Sequence, residues 1–151
     1  MIAEIVPGLY MSDLQSAENI RIHESYRFTH VLSAMPGKVV LPTHPSRPLS
    51  LKTFQLPIQD NPFEELAAHL PGTTAFISDA LRSQGRVLVH CMQGRSRSAS
   101  VIAAYLMAAN KGWTAEDAVR HIKAKCMTAE PNVGFMGQLR EYYRALQQDQ
   151  Q

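Results

Sequence analysis

The sequence predicts an α/β fold: a single domain with a central, mostly parallel sheet of about five strands flanked by helices. Short runs rich in Val, Ile and Leu alternate along the chain with longer segments of helical period. One such run, Val87-Leu88-Val89, passes through a loop containing glycine and serines directly into a helical segment, Ala99 to Met107. That is how α/β proteins place their sites at the carboxyl ends of strands. With 151 residues, 45% hydrophobic and 19% charged, the chain has the length and composition to bury one good core. No repeat and no shift of composition marks a second domain, so 1–151 reads as one domain.

Taken in order, Ile2 to Ile5 and Leu9 to Met11 read as short strands, and Ser12 or Asp13 can cap a helix running to about Arg21. His30 to Ala34 is a third strand. Residues 36–50 carry four prolines (36, 42, 45 and 48) without apolar periodicity and read as an irregular surface loop. Thr53 to Leu56 is a strand. A helix or helical pair is expected over about 63–83, interrupted by Pro71-Gly72 and ended by Gln84-Gly85. Strand 86–90 leads into the loop and a helix over 97–110. Lys111-Gly112-Trp113 turns the chain, and Thr114 with Asp117 resembles a capping box, Asp standing where Glu is usual, opening a helix to about Lys125. A last helix, 134–147, carries Phe135, Leu139, Tyr142, Tyr143 and Leu146 at helical spacing, as core and flank. The polar tail 147–151 is expected to fray.

The chemistry concentrates in His90-Cys91-Met92-Gln93-Gly94-Arg95-Ser96-Arg97-Ser98. Small residues let the backbone curl with successive N–H groups pointing inward, an anion nest to which the following helix adds its partial positive charge. An anion of phosphate size fits there. The same field favours the thiolate of Cys91, the nucleophilic form. Arg97 adds a planar fork that takes two phosphate oxygens at once. Ser98 can hydrogen-bond the sulfur and help it leave in a later step. Met92, Gln93, Gly94, Arg95, Ser96 and Arg97 are thus expected to surround the phosphate.

His-Cys-x5-Arg followed by Ser resembles the signature loop of the cysteine-dependent protein tyrosine phosphatases. With Gly94 and the Ser96-Arg97-Ser98 run it is most similar to their dual-specificity branch. Ala104-Tyr105-Leu106-Met107 resembles that branch's "AYLM" helix, and Pro131 to Leu139 its "PNxxFxxQL" segment. Ile5 to Tyr10 resembles the opening strand, and Thr29 to Leu32 the second. The resemblance therefore extends from residue 5 to residue 139 in family order. It implies the α/β phosphatase fold and a phosphoprotein substrate carrying phosphotyrosine or phosphoserine/threonine.

Breaking a phosphate ester releases an alkoxide or phenoxide, and protonating it is general acid work. Asp60 is the candidate, bracketed by Pro57 and Pro62 just beyond a strand. Standing alone, an Asp before Asn-Pro is better explained by an Asx turn or a cap on the next segment; its family position implies the acid. The implied reaction has two steps. Cys91 attacks phosphorus in line while Asp60 donates its proton, and water then attacks the phosphocysteine with Asp60 as base. Dipoles and guanidinium neutralise the charge, so neither metal nor cofactor is expected. The resemblance also implies that His90 tunes the thiolate through a hydrogen bond and that Asn132 braces the loop through its side chain. The plainer readings are a buried strand end and a turn residue. Arg95 either widens the positive field or is simply solvated. Cys126 is either an inert buried thiol or a disulfide partner for Cys91.

The net charge of +2 is too weak to argue for nucleic acid or membrane binding. No apolar stretch of about 18 residues is present, so no transmembrane helix is expected. Met1-Ile2-Ala3-Glu4 shows no secretory signal, which with a reactive thiol points to cytosol or nucleus. Other members of the family act on phosphoinositides and other non-protein phosphates, and the extra Arg95 resembles a lipid-phosphatase relative. An anionic phospholipid is therefore the second substrate class, although Phe135 to Leu139 looks more like the protein-directed members. Around Lys125-Cys126-Met127 many members carry an arginine that this chain lacks, which bears on doubly phosphorylated substrates. From other classes, a non-catalytic phosphate-binding module would ordinarily have lost the cysteine, the arginine or the acid. A sulfurtransferase would need neither Ser96-Arg97-Ser98 nor Asp60.

Overall fold

Among the described residues the chain forms five strands, the fourth largely polar: β1 (Ile2–Val6), β2 (Leu9–Ser12), β3 (His30–Ser33), β4 (Lys52–Gln55) and β5 (Val87–His90). In the computed structural model, which describes residues 1–42 and 51–149, they form one sheet in the order β1-β2-β5-β3-β4. Only β1 runs antiparallel to its neighbour; the other pairings are parallel. β5 is therefore central, and its residues Val87 to His90 are all buried.

Strand side chains alternate between the two faces. Leu9, Met11, Leu32, Val87 and Val89 point into the larger core, while Tyr10, Val31 and Leu88 point into the smaller one. The larger core is covered by α3 (Leu70–Arg82), α4 (Arg97–Ala109), α5 (Ala115–Lys125) and α6 (Val133–Asp149). The smaller core packs Ala17 and Phe28 with Ile22 and Tyr26, all from the stretch 17–28. α4 touches α3, α5 and α6. Its buried residues, among them Ala99, Val101, Ile102, Ala103 and Leu106, surround the helix, as suits an element at the middle of a layer.

At their C-terminal ends the strands carry a transverse row of polar residues. Ser12 and Ser33 flank His90 in register, and Gln55 follows Ser33. Ser12, Ser33 and His90 are buried. The loop containing Cys91 starts from the middle of this row.

Three expectations need correction. The helix expected from Asp13 to about Arg21 is two short helices, α1 (Leu14–Ala17) and α2 (Ile20–Tyr26). Asp13 accepts the Ser16 N–H, and Asn19 opens a second start by accepting the Arg21 N–H. Pro71 does not interrupt the next helix but occupies the first turn of α3, where its missing N–H costs no helical bond. A 3₁₀ turn, Ala67–His69, precedes it, and residues 63–66 are not helical. The polar tail does not fray at Gln147, since α6 continues to Asp149. The proline-rich loop has no regular structure over residues 36–42; its remainder lies outside the described residues. No helix among the described residues is long and apolar enough to cross a membrane.

Candidate active site

Cys91 lies one residue past β5, with 2% of its surface exposed at the floor of a recess of about 210 Å³. Asp60, Met92, Gln93, Arg95, Ser96 and Arg97 complete the lining, so the recess is polar. Three carbonyls of the loop are engaged elsewhere: Met92 C=O accepts from Leu14 N–H, Arg95 C=O from Glu130 N–H, and Ser96 C=O from Ser100 N–H. The loop N–H groups, together with the start of α4, are what remains to meet an anion. Gly94 makes this curl possible. Its φ is +67°, and a Cβ there would lie 2.3 Å from the Met1 Cε and 3.1 Å from backbone atoms of Ser12 and Asp13.

Ser98 Oγ is 3.1 Å from Cys91 Sγ, placed to donate to the sulfur when it is ionised. Arg97 lines the recess, and its Nη1 donates to the Ile58 carbonyl at 3.1 Å. Its Nε is buried and has no acceptor among the described residues. A guanidinium held at one end, with a buried donor to spare, matches a tetrahedral oxyanion. Arg95 is exposed and extends the cationic rim.

His90 does not reach the sulfur. Its Nε2 accepts from Ser33 Oγ–H at 2.6 Å, and its Nδ1–H donates to the Cys91 carbonyl at 3.3 Å. Burial pushes the ring's pKa down, with the bond to the Cys91 carbonyl opposing this, so a neutral ring fits the pattern. The expected bond to the thiolate is replaced by one that fixes the Cys91 backbone.

Asp60 lines the same recess as Cys91 and Arg97. Asn132 Nδ2 donates to Asp60 Oδ1 at 2.9 Å, while Asn132 Oδ1 accepts the Phe135 N–H at 2.8 Å. The second bond settles which end of the amide faces the carboxylate. The expected side-chain brace on the loop is therefore revised. It is the Asn132 backbone N–H that reaches the loop, donating to Ser96 Oγ at 2.9 Å, and the side chain goes to Asp60. Cys126 is buried at the end of α5, 3.5 Å from Thr128 Oγ1, and both cysteines are free thiols.

Some contributors leave no sequence signal. Ile58 acts through its carbonyl, and Ser33 faces His90 only because β3 and β5 pair in register. Among the described residues no group of three His, Cys, Asp or Glu side chains is gathered to hold a metal ion. What the arrangement can do is bind an oxyanion against a buried nucleophile, with a carboxyl group at its edge to supply a proton.

Comparison with known proteins agrees with this geometry. The family model for the dual specificity phosphatase catalytic domain matches residues 9–145. Over 143 residues the chain is 38% identical to the Drosophila melanogaster dual specificity protein phosphatase MPK-4, covering 95% of this chain but 36% of that one. With mouse dual specificity phosphatase 28 it shares 34% identity, covering 96% of this chain and 85% of that one. A mouse putative dual specificity phosphatase crystallised with zinc tungstate superposes with a TM-score of 0.88 at 32% identity, covering 99% of this chain and 90% of that one. The chain thus spans about a third of the length of the Drosophila relative and most of the others.

Proposed function

The chain belongs to the dual specificity phosphatase family, and from that membership we propose that it hydrolyses phosphomonoesters of proteins, both phosphotyrosine and phosphoserine/threonine, through a phosphocysteine intermediate. The observation that carries the reading is the convergence of Cys91, Arg97 and Asp60 on one recess. Residues 1–151 constitute the catalytic domain, working in a reducing compartment such as cytosol or nucleus.

In the first step the Cys91 thiolate forms a bond to phosphorus as the ester P–O bond breaks. Asp60 gives its proton to the departing oxygen. The loop N–H groups and Arg97 hold the equatorial oxygens and match the transition state better than the ground state. Water then attacks the phosphocysteine, giving its proton to Asp60, and the thiolate leaves with Ser98 Oγ–H to receive its charge. Phosphate departs and both groups return to their starting states. Met92, Gln93, Gly94, Arg95 and Ser96 form the cradle, with His90 and Asn132 in support.

A second reading rests on Arg95. An exposed cation at the rim suits substrates with more than one negative group, such as anionic phospholipids. Phosphate release measured with EDTA present, from phosphotyrosine and phosphothreonine peptides, phosphoinositides and phosphatidylglycerophosphate, separates the two. Release from peptides that vanishes in Cys91→Ser supports the protein phosphatase; preferential release from lipids supports the second reading. Tungstate should compete with either substrate. Phosphate binding without Cys91-dependent release from any member of the panel would leave only a phosphate-binding module.

A further inference from the structure

We propose that Gln138, on α6, is a positioning residue for proton donation by Asp60; the proposal rests on the phosphatase reading above. Asp60 is exposed on a segment without regular structure, residues 56–66, anchored in the core by Leu56, Ile58 and Leu66. Within it Gln59 N–H donates to Glu64 Oε1 and Phe63 N–H to Asn61 Oδ1, and its far end is held by α6. Gln138 Nε2 donates to the Glu64 carbonyl at 2.8 Å, and Gln138 Oε1 accepts from the N–H groups of Leu66 at 2.7 Å and Ala67 at 2.8 Å. One side chain thus partners three backbone groups, and its amide orientation follows from them. Leu66 opens the 3₁₀ turn before α3 with no cap from its own side chain, and of the local side chains Glu65 takes the Ala68 N–H at 2.9 Å. Gln138 takes the two N–H groups before it, Leu66 and Ala67, from far along the chain.

Two more contacts extend the hold toward the carboxylate. The α6 backbone at Gly134 lies so close to the segment that a Cβ there would sit 2.0 Å from the Pro62 carbonyl oxygen and 2.6 Å from Pro62 C and Cα. Asn132, at the start of the helix, bonds Asp60 Oδ1. That bond occupies Oδ1 and leaves Oδ2 to carry the transferable proton. α6 therefore meets the segment at Asp60, Pro62 and Glu64–Ala67, and fixes both the place of the acid and the oxygen it offers. Helix and segment are far apart in sequence, so only the folded chain brings them together.

The test is the dependence of rate on leaving group. Gln138→Leu should slow phenyl phosphate by on the order of 10–10²-fold, since small misplacements of a reacting group are costly. It should slow p-nitrophenyl phosphate, whose leaving oxygen needs little protonation, by no more than about threefold. Gln138→Glu, which keeps an acceptor for Leu66 and Ala67 but loses the donor to Glu64, should fall between. In an Asp60→Ala background Gln138→Leu should add nothing on either substrate. Equal slowing of both esters, the same loss without Asp60, or no loss in a variant that still melts cooperatively would overturn the proposal. If Gln138→Leu does not fold, Gln138→Glu is read by the same split. A parent enzyme with no Cys91-dependent release from p-nitrophenyl phosphate would remove the phosphatase reading as well. Release without the split would remove only the role of Gln138.

Discussion

At the scale of single residues the site separates three tasks. In the proposed reaction Cys91 attacks, Asp60 moves a proton, and Arg97 with the loop backbone holds charge. Cys91→Ser should abolish turnover while leaving the melting temperature close to that of the parent; residual turnover in a folded variant would mean another nucleophile. Asp60→Ala should slow esters of poor leaving groups by about 10²–10⁴-fold. Phenyl phosphate hydrolysed at the parent rate would end the acid assignment. Ser98→Ala removes the hydroxyl 3.1 Å from the sulfur and should slow the second step more than the first. Rapid-quench kinetics should then show a phosphoenzyme burst larger than the parent's. Cys91 and Ser98 could be singled out from the loop sequence itself, whereas Asp60 could be picked out only from its place in the family's order, since alone it reads as an Asx turn. The Ile58 carbonyl could not be picked out at all, since every residue has one. Asn132 was legible as a member of the site, but its side chain turned toward the acid instead of the loop, which depends on how closely α6 approaches residues 60–62.

At the scale of elements, local rules were reliable where both ends of an interaction lay within one turn. The capping box of α5 is the clearest case: Thr114 Oγ1 accepts the Asp117 N–H at 3.1 Å, and Asp117 Oδ2 accepts the Thr114 N–H at 3.0 Å. Thr114→Ala should cost about 1 kcal/mol, lowering the melting temperature by roughly 2–4 °C. No measurable drop would show that tertiary contacts alone hold that end of α5. Competing local signals were harder to weigh. Asp13 and Asn19 both cap, and the sequence could not say that the second cap would end the first helix. Pro71 read as a break because its position relative to the helix start depends on where the preceding turn is capped. Glu65 caps that turn locally, but its first two N–H groups go to Gln138, 72 residues beyond Leu66.

At the scale of the whole molecule, parallel layering was readable from the alternation of strands and helices, whereas strand order was not. Placing β5 between β2 and β3 depends on which helices fill each face, a property of the packed whole. Stability with pH also belongs to this scale. Burial lowers the pKa of His23, His30 and His90 from an ordinary value of 6.5. The unfolded chain therefore binds more protons than the folded one below that range, and stability should be greatest above about pH 6.5 and fall as pH drops. Glu4, bonded by the Gly8 N–H, and Glu116, bonded by Arg140, have pKa values below their ordinary 4.5 and add a further loss in more acid solution. A melting temperature that is flat between pH 7.5 and 5.5 would contradict the histidine contribution. The polar recess has a consequence for inhibitor chemistry. A neutral apolar compound finds little to hold beside Cys91, so tight binders must bring an anion, the feature that hinders passage across membranes. Phe63 (94% exposed) and Val133 (78% exposed), on the two segments that meet at Pro62 and Gly134, offer an apolar foothold outside the charged floor. A compound with a weaker anion and an arm toward those two side chains would trade charge for contact area, and would take its selectivity from residues outside the signature loop.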